Sequence, residues 1–491
     1  MKPSQTIGVT NLRLKYPGED APLLFQGISL TIEPGEKVLL LGPSGSGKST
    51  LLQVLSGIVP NVVEIPQKAD EIRTPEHWGY VFQDPDTQFC MPYVDEEIAF
   101  VLENLGVPRA EMLPLIQRYL ERVGLRFADI HTPIGQLSQG MKQRLAIASV
   151  LALEPQVLFL DEPTALLDEE GTKQVWDTIR EVGVDRTLVI VEHKISGILD
   201  FIDRLIVLAP DGRLLADGRP QDIFQACKDQ LIAYGIWYPG VWDDYERKMG
   251  LPLRLSEEHA SPAPLMTMQD FVGIRGREIK TSVDNLSVYP GDWIAVVGAN
   301  GAGKSSLLLA IMRLIPTKGS CRIEGVQGNK VEQLAERVAF VFQNPEFQFV
   351  THAVEDEIAY SLPEGVQQGR IESMLREYDL LALRTRHPFQ LSTGQKRRLS
   401  VASAMVREPR ILLLDEPTFG LDAQRTFRML EKLEQLRASG TAIIMITHDA
   451  EIVNRFATRV WQVEAGLAKE LAPSQSPSFG RAAEGEPHLC K

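Results

Sequence analysis

One series of five short motifs is written twice in this chain, in the same order and at a nearly constant spacing, and no other feature limits the fold so strongly. The first copy begins Gly42-Pro43-Ser44-Gly45-Ser46-Gly47-Lys48-Ser49-Thr50, and the second begins Gly298-Ala299-Asn300-Gly301-Ala302-Gly303-Lys304-Ser305-Ser306. Each is followed by Phe-Gln (Phe82-Gln83; Phe342-Gln343) and then by Leu-Ser-x-Gly (Leu137 to Gly140; Leu391 to Gly394). Leu-Asp-Glu-Pro-Thr (Leu160 to Thr164; Leu414 to Thr418) and a late histidine (His193; His448) complete the series. Lys304 lies 256 residues after Lys48, and the other four offsets run from 254 to 260. Such constancy means a duplicated domain.

At 491 residues the chain is too long for one ordinary core, and two domains of common size fit it. Its hydrophobic fraction of 44% and charged fraction of 24% are those of a soluble globular protein. The formal net charge of −14 argues against nucleic acid as the main partner, because a phosphate backbone asks for a basic face. No apolar run approaches the roughly 18 residues that span a bilayer. Residues Met1 to Thr6 lack the apolar core of a signal peptide, so none is expected. The four cysteines form no C-x-x-C pair and suit free thiols in a reducing cytosol.

Each half carries a turn (Glu33-Pro34-Gly35-Glu36; Tyr289-Pro290-Gly291-Asp292), an apolar strand (37–41; 293–297), the glycine-rich loop, and a helix from Lys48 or Lys304. A phosphate-binding loop requires this strand–loop–helix order. Glycines let backbone N–H groups close on phosphate oxygens, and the helix N-terminus favours the anion. Lys48 and Lys304 would reach the β- and γ-phosphates of ATP, while Ser49 and Ser305 would offer a hydroxyl to Mg2+. Apolar strands at 157–160 and 411–414 run into Asp161 and Asp415, placed to hold Mg2+. Glu162 and Glu416 come next, placed to orient and deprotonate the attacking water. His193 and His448 follow apolar strands at 187–191 and 442–446, so they should emerge at the same sheet edge and contact the γ-phosphate. Taken locally, Ser138 and Ser392 read as helix N-caps. The stretches between Phe-Gln and Leu-Ser-x-Gly, such as 109–123, read as small helical subdomains.

The pattern divides the chain into a first domain at 1–226, an extension and linker at 227–264, a second domain at 265–471 and a disordered tail at 472–491. The extension holds Tyr234, Trp237, Tyr238, Trp242 and Tyr245, which suit packing against the first domain, with a docking surface as the alternative.

The order of motifs resembles the ATP-binding-cassette (ABC) ATPases over residues 6–225 and 267–470. The resemblance implies two α/β P-loop domains, each with an antiparallel β portion and a helical subdomain. It also implies that Leu-Ser-x-Gly completes the ATP site of the facing domain. Ser392 and Gly394 would then cover ATP held by Lys48, and Ser138 and Gly140 would cover ATP held by Lys304. Gln83 and Gln343 would lie near Mg2+ and a transmembrane contact, and Asp168 and Asp422 would cross the dimer interface. Tyr16 matches the adenine-stacking aromatic of the first half, where the second offers Arg275. The first signature has Met141 where glutamine is usual. Both glutamates and both histidines are present, so neither site looks degenerate.

The surroundings of Gln83 and Gln343 share Phe-Gln-x-Pro-acid-x-Gln-Phe (Phe82 to Phe89; Phe342 to Phe349), followed by Val94 to Phe100 and Val354 to Tyr360. This text resembles the ATPases of energy-coupling-factor (ECF) importers of vitamins and metals, most of all the thiamine/hydroxymethylpyrimidine type. The resemblance implies a peripheral location on the cytoplasmic face of the membrane. It further implies a transmembrane T-component and a substrate-binding membrane subunit as partners, with Asp86, Gln88, Glu346 and Gln348 lining a groove for a coupling helix. Cobalt or nickel ECF importers, tandem sugar-import ATPases and ribosome-associated tandem ABC proteins remain as rivals.

Overall fold

The computed structural model describes residues 6–18, 22–165, 167–193, 195, 197–249, 263–326, 331–360, 362, 368–418 and 420–471. The expected tail at 472–491 and most of the linker at 256–264 lie outside the described residues. The chain divides into two compact units. One comprises Met1–Asp244 with Gly420–Thr426, and the other comprises Tyr245–Phe419 with Phe427–Lys491.

In the first unit, Ile7–Lys15 pairs antiparallel with Leu23–Ile32 and with the short strands Gln67–Lys68 and Glu71–Arg73. A six-stranded sheet runs in the order Leu214–Gly218, Arg204–Leu208, Lys37–Leu41, Thr187–Val191, Val157–Asp161, Trp78–Val81. All its pairings are parallel except the one between the first two strands named. The central strands Val157–Asp161 and Thr187–Val191 are buried at every residue, which is why they read as unbroken apolar runs. The helix Lys48–Ser56 packs its leucines (Leu51, Leu52, Leu55) into the core between the two sheets. Val94–Asn104, Arg109–Arg122 and Gln139–Leu151 form the helical portion.

The second unit repeats the plan in one nine-stranded sheet. Its antiparallel part, Thr317–Ile323, Met266–Arg275 and Glu278–Val288, is joined to the parallel part where Ser282 and Val283 pair with Leu467 and Ala468. The parallel strands run Arg459–Glu464, Trp293–Val297, Ala442–Ile446, Ile411–Asp415, Val338–Val341. Val354–Tyr360, Gln368–Glu377 and Thr393–Met405 are its helical portion. Among the described residues, no helix is long and apolar enough to cross a membrane.

The aromatic extension is internal packing. Trp237, Tyr238 and Tyr245 are buried. Within the first unit, Trp237 donates from Nε1 to the Leu421 carbonyl (3.3 Å), and Ala423 donates its N–H to Gly235 (2.9 Å). Within the second, Tyr245 stacks on Phe427 at 4.0 Å between ring centroids. The expected packing therefore finds its partner in the segment around Leu421, distant in sequence from 1–226.

The two cores have diverged by compensation. A Cβ added to Gly79 would lie 2.0 Å from Val150 Cγ1, whereas the corresponding pair in the second unit is Ala339 and Ala404. Because Val150 is stiff about χ1 it cannot swing aside. Gly79→Ala should therefore cost about 1–3 kcal/mol through overpacking. Adding Val150→Ala should recover much of that loss, and urea unfolding of the single and double variants measures both effects.

Candidate active site

In both units the glycine-rich loop leaves the C-terminal end of a central parallel strand, where ligands bind in open α/β sheets. Gly47 and Gly303 precede the helix with left-handed φ of 93° and 108°. A Cβ there would sit 2.7 Å from the Phe25 ring or 2.3 Å from the Lys280 carbonyl oxygen, so only glycine fits. Lys48 is buried, and its Nζ donates to the carbonyls of Gly42 (2.9 Å) and Pro43 (3.2 Å). Lys304 repeats this with Gly298 (2.6 Å) and Ala299 (2.9 Å). Burial pushes the Lys48 ammonium down, with the carboxylates of Glu162 and Asp161 opposing. Ser44, Gly45, Ser46, Asn300, Gly301 and Ala302 complete the two loops, and the buried Ser46 Oγ has no hydrogen-bond partner among the described residues.

Behind each loop stands an oxygen pair suited to Mg2+. Ser49 donates to Asp161 Oδ1 (2.9 Å), and Ser305 and Asp415 hold the corresponding positions in the second unit. Asp415 Oδ1 has no hydrogen-bond partner among the described residues. A serine hydroxyl and a carboxylate are the hard oxygen donors that Mg2+ takes, so the residues fit this ion, and the lysine-capped loops fit a polyphosphate. Burial raises the Asp161 carboxyl and pushes that of Asp415 up to about 6.

The neighbouring glutamates turn a different way. Glu162 and Glu416 have left-handed φ of 48° and 49°, an uncommon conformation for a side-chain-bearing residue. Each N–H donates to the last carbonyl of the next strand, Val191 (2.9 Å) or Ile446 (3.1 Å). Glu162 Oε1 meets His193 Nε2 at 3.0 Å, and Glu162 Oε2 accepts from Gln83 Nε2 at 2.9 Å. Glu416 meets His448 and Gln343, each at 3.3 Å. Burial opposes ionisation of Glu162, but the His193 hydrogen bond and charge and the Lys48 charge outweigh it, and the carboxyl sits below its ordinary range. Glu416 is held low against burial in the same way by His448 and Lys304. The sequence-expected glutamate, histidine and glutamine of each half thus converge on one carboxylate.

Other expected residues divide. Tyr16 is half exposed, and its hydroxyl shares a 2.6 Å hydrogen bond with Thr50, which anchors the ring to the loop helix. Arg275 ends the strand at the corresponding place. Ser138 and Ser392 are N-caps, but only the second makes a full capping box, because Gln395 accepts from the Ser392 N–H while Met141 cannot. Gly140 and Gly394 lie in the first turns of the same helices, while Asp168 and Asp422 cap the helices that follow them. The expected groove residues are partly spent inside their own units. Asp86 pairs with Lys142 at 2.7 Å, and Glu346 pairs with Lys396. Gln88 donates to the Ala146 carbonyl and Gln348 to Ser400 and Ser403, so each amide also braces a helix of its own unit.

Sequence reasoning missed three buried positions. Tyr80 donates to Asp161 Oδ2 (3.0 Å), where the second half has Phe340. Arg397 donates to the Phe342 carbonyl (2.9 Å), where the first half has Gln143, and burial lowers its guanidinium to about 10. Glu192 accepts from the Thr164 hydroxyl and from the N–H groups of Thr164 (3.2 Å) and His193 (2.9 Å), where the second half has Thr447. Comparing the halves column by column exposes all three.

Comparisons with known proteins agree with this geometry. The family model described as "ABC transporter" matches residues 25–165 and 282–419. The chain is 36% identical to the protein named "Putative HMP/thiamine import ATP-binding protein YkoD" of Bacillus subtilis, over 96% of this chain and 92% of that protein. A Streptococcus pneumoniae protein named "Putative ABC transporter ATP-binding protein" is 34% identical, over 94% and 89%. Among solved structures, the archaeal ribosome recycling factor aABCE1, in complex with ribosomal stalk protein aP1, matches with a TM-score of 0.63 over 94% of this chain and 89% of that one. At 18% identity that likeness speaks for the fold alone.

Glu192 generates a pH prediction. Burial pushes its carboxyl from an ordinary 4.5 up to about 7, so the folded chain holds this proton more tightly than the unfolded chain does. The stability from this group is complete below pH 4.5 and is lost as pH rises through about 7. The melting temperature of the nucleotide-free protein should fall across that window, and Glu192→Gln should flatten the fall. Equal pH slopes for the two proteins in a thermal-unfolding series would refute the assignment.

Proposed function

This chain belongs to the ABC transporter family with two ATPase domains, and from that premise we propose that it energises an ECF-type importer of a vitamin or precursor such as thiamine or hydroxymethylpyrimidine. It is an ATPase, and Mg2+ is the usual cofactor of such domains. The observation that carries the importer reading is the surface beside the second Phe-Gln motif. Phe347, Val350 and Phe389 there are 75%, 63% and 49% exposed, and Lys396 lies both over the Phe389 ring and against Glu346. A cluster of exposed aromatics rimmed by charge is the mark of a protein docking site, and a coupling segment of a membrane T-component suits it. The relative named for HMP/thiamine import supports the substrate class, and the substrate-binding membrane subunit follows from that reading.

The residues divide the work simply. Loop N–H groups with Lys48 or Lys304 would bind and orient the phosphates, and Ser49 with Asp161, or Ser305 with Asp415, would hold the metal. Bound ATP–Mg2+ supplies the transferable phosphoryl group and the charge that offsets its negative oxygens. Glu162 and Glu416 would orient water and take its proton, for which each must first leave the glutamine and histidine that hold it. Gln83 and Gln343 sit at the start of the docking segment, so movement of that segment would reach the glutamate directly. Ser392 and Gly394 would complete the site of Lys48, and Ser138 and Gly140 that of Lys304.

Glu162→Gln and Glu416→Gln should each keep ATP binding and lower hydrolysis by about a hundredfold or more. Unchanged turnover in either would mean that only one site works. Affinity purification from membranes should recover integral membrane partners, and Phe347→Asp should release them while ATP binding persists. Cells with the chain and its partners should take up labelled thiamine or hydroxymethylpyrimidine. Recovery of ribosomes without membrane proteins would sink the importer reading.

A further inference from the structure

Beside the carboxylate that would face Mg2+, the two halves of the chain are built differently. In the first, Tyr80 lies on the strand Trp78–Val81, is 5% exposed, and has its ring against Phe82 and Phe159. Its hydroxyl reaches Asp161 Oδ2 while Ser49 occupies Oδ1, so both oxygens of that carboxylate are fixed. Phe340 holds the equivalent place on Val338–Val341, packs on Phe342 in the same way, and brings no hydroxyl. Asp415 keeps its buried Oδ1 without a hydrogen-bond partner among the described residues, and Phe340 offers no hydroxyl to its carboxylate.

A second difference acts on the same atoms. Gln143 and Arg397 both donate to the carbonyl of the phenylalanine before the motif glutamine, Phe82 or Phe342. Gln143 is neutral, whereas Arg397 puts a buried cation among Asp415 and Glu416. A fixed positive charge in a low-dielectric site opposes an incoming divalent cation, and a carboxylate without the hydrogen bonds that fix Asp161 must be oriented at the moment of binding. Both differences act in the same direction.

We propose that Tyr80 is a positioning residue for Asp161, and that Phe340 and Arg397 make the second site the weaker one for Mg2+, so the two nucleotide sites load at different Mg2+ concentrations. The inference concerns this chain alone and needs no membrane partner, so it stands or falls separately from the importer reading.

The test uses the full chain with one loop lysine removed at a time: Lys304→Ala reports the first site, and Lys48→Ala the second. The readout is the Mg2+ dependence of binding of a fluorescent ATP analogue, with Mn2+ paramagnetic resonance as a direct view of the metal. The first site should half-saturate at clearly lower Mg2+ than the second. Tyr80→Phe should raise the first site's requirement about three- to tenfold, the worth of one hydrogen bond, and Phe340→Tyr should lower the second site's by a similar factor. Equal Mg2+ requirements at the two sites would overturn the proposal. So would a Tyr80→Phe protein of normal melting temperature with an unchanged requirement. Should Tyr80→Phe fold poorly, Phe340→Tyr decides alone: a well-folded variant without tighter Mg2+ dependence refutes the inference.

Discussion

Both sites depend on how one buried strand ends. Side chains alternate between the faces of a strand, so two adjacent carboxylates on a continuing strand would point apart. The chain stops the strand at Asp161 or Asp415 and puts the following glutamate in a left-handed conformation, pinned by its N–H to the end of the next parallel strand. The aspartate then meets the loop serine while the glutamate meets histidine and glutamine. That one hydrogen bond links sheet register to chemistry, and a slip of the neighbouring strand would misplace the histidine and the glutamate together.

The electrostatics follow from the same crowding. Two carboxylates and a lysine share a buried corner, and their environments push the carboxyl groups apart: aspartate upward, glutamate downward. Burial raises the aspartate carboxyl, and a bound cation would offset that cost. A glutamate lowered by histidine is charged early but is a poor base while that contact lasts. The glutamate's basicity is thus tied to its contacts with histidine and glutamine.

Much of this was legible in the sequence because it is local. The strands 37–41, 187–191, 293–297 and 442–446 fall where apolar runs placed them, and the loop helices begin at Lys48 and Lys304. What escaped depends on contacts between distant segments. Nothing near Gln88 or Gln348 announces that their amides brace a helix more than fifty positions on. The burial of Trp237 against Leu421 joins residues 184 apart. Tyr80 escaped because a tyrosine in an apolar strand reads as core, and only the fold places its hydroxyl against a carboxylate.

The duplicated halves differ in a way that separates chemistry from support. The lysine, serine, aspartate, glutamate, histidine and glutamine that would act on phosphate, metal or water are the same in both, although the loops differ at Ser44 and Asn300 and at Ser46 and Ala302. The groups behind them have changed, as at Tyr80 and Phe340, Gln143 and Arg397, Glu192 and Thr447, and Met141 and Gln395. Reacting groups are fixed by a reaction that both sites share, whereas supporting groups need only be consistent with their own neighbours, as Gly79 with Val150 and Ala339 with Ala404 are. Because both copies lie in one chain, each can change its support independently of the other. Two like sites with unlike support can differ in when they load while keeping one chemistry.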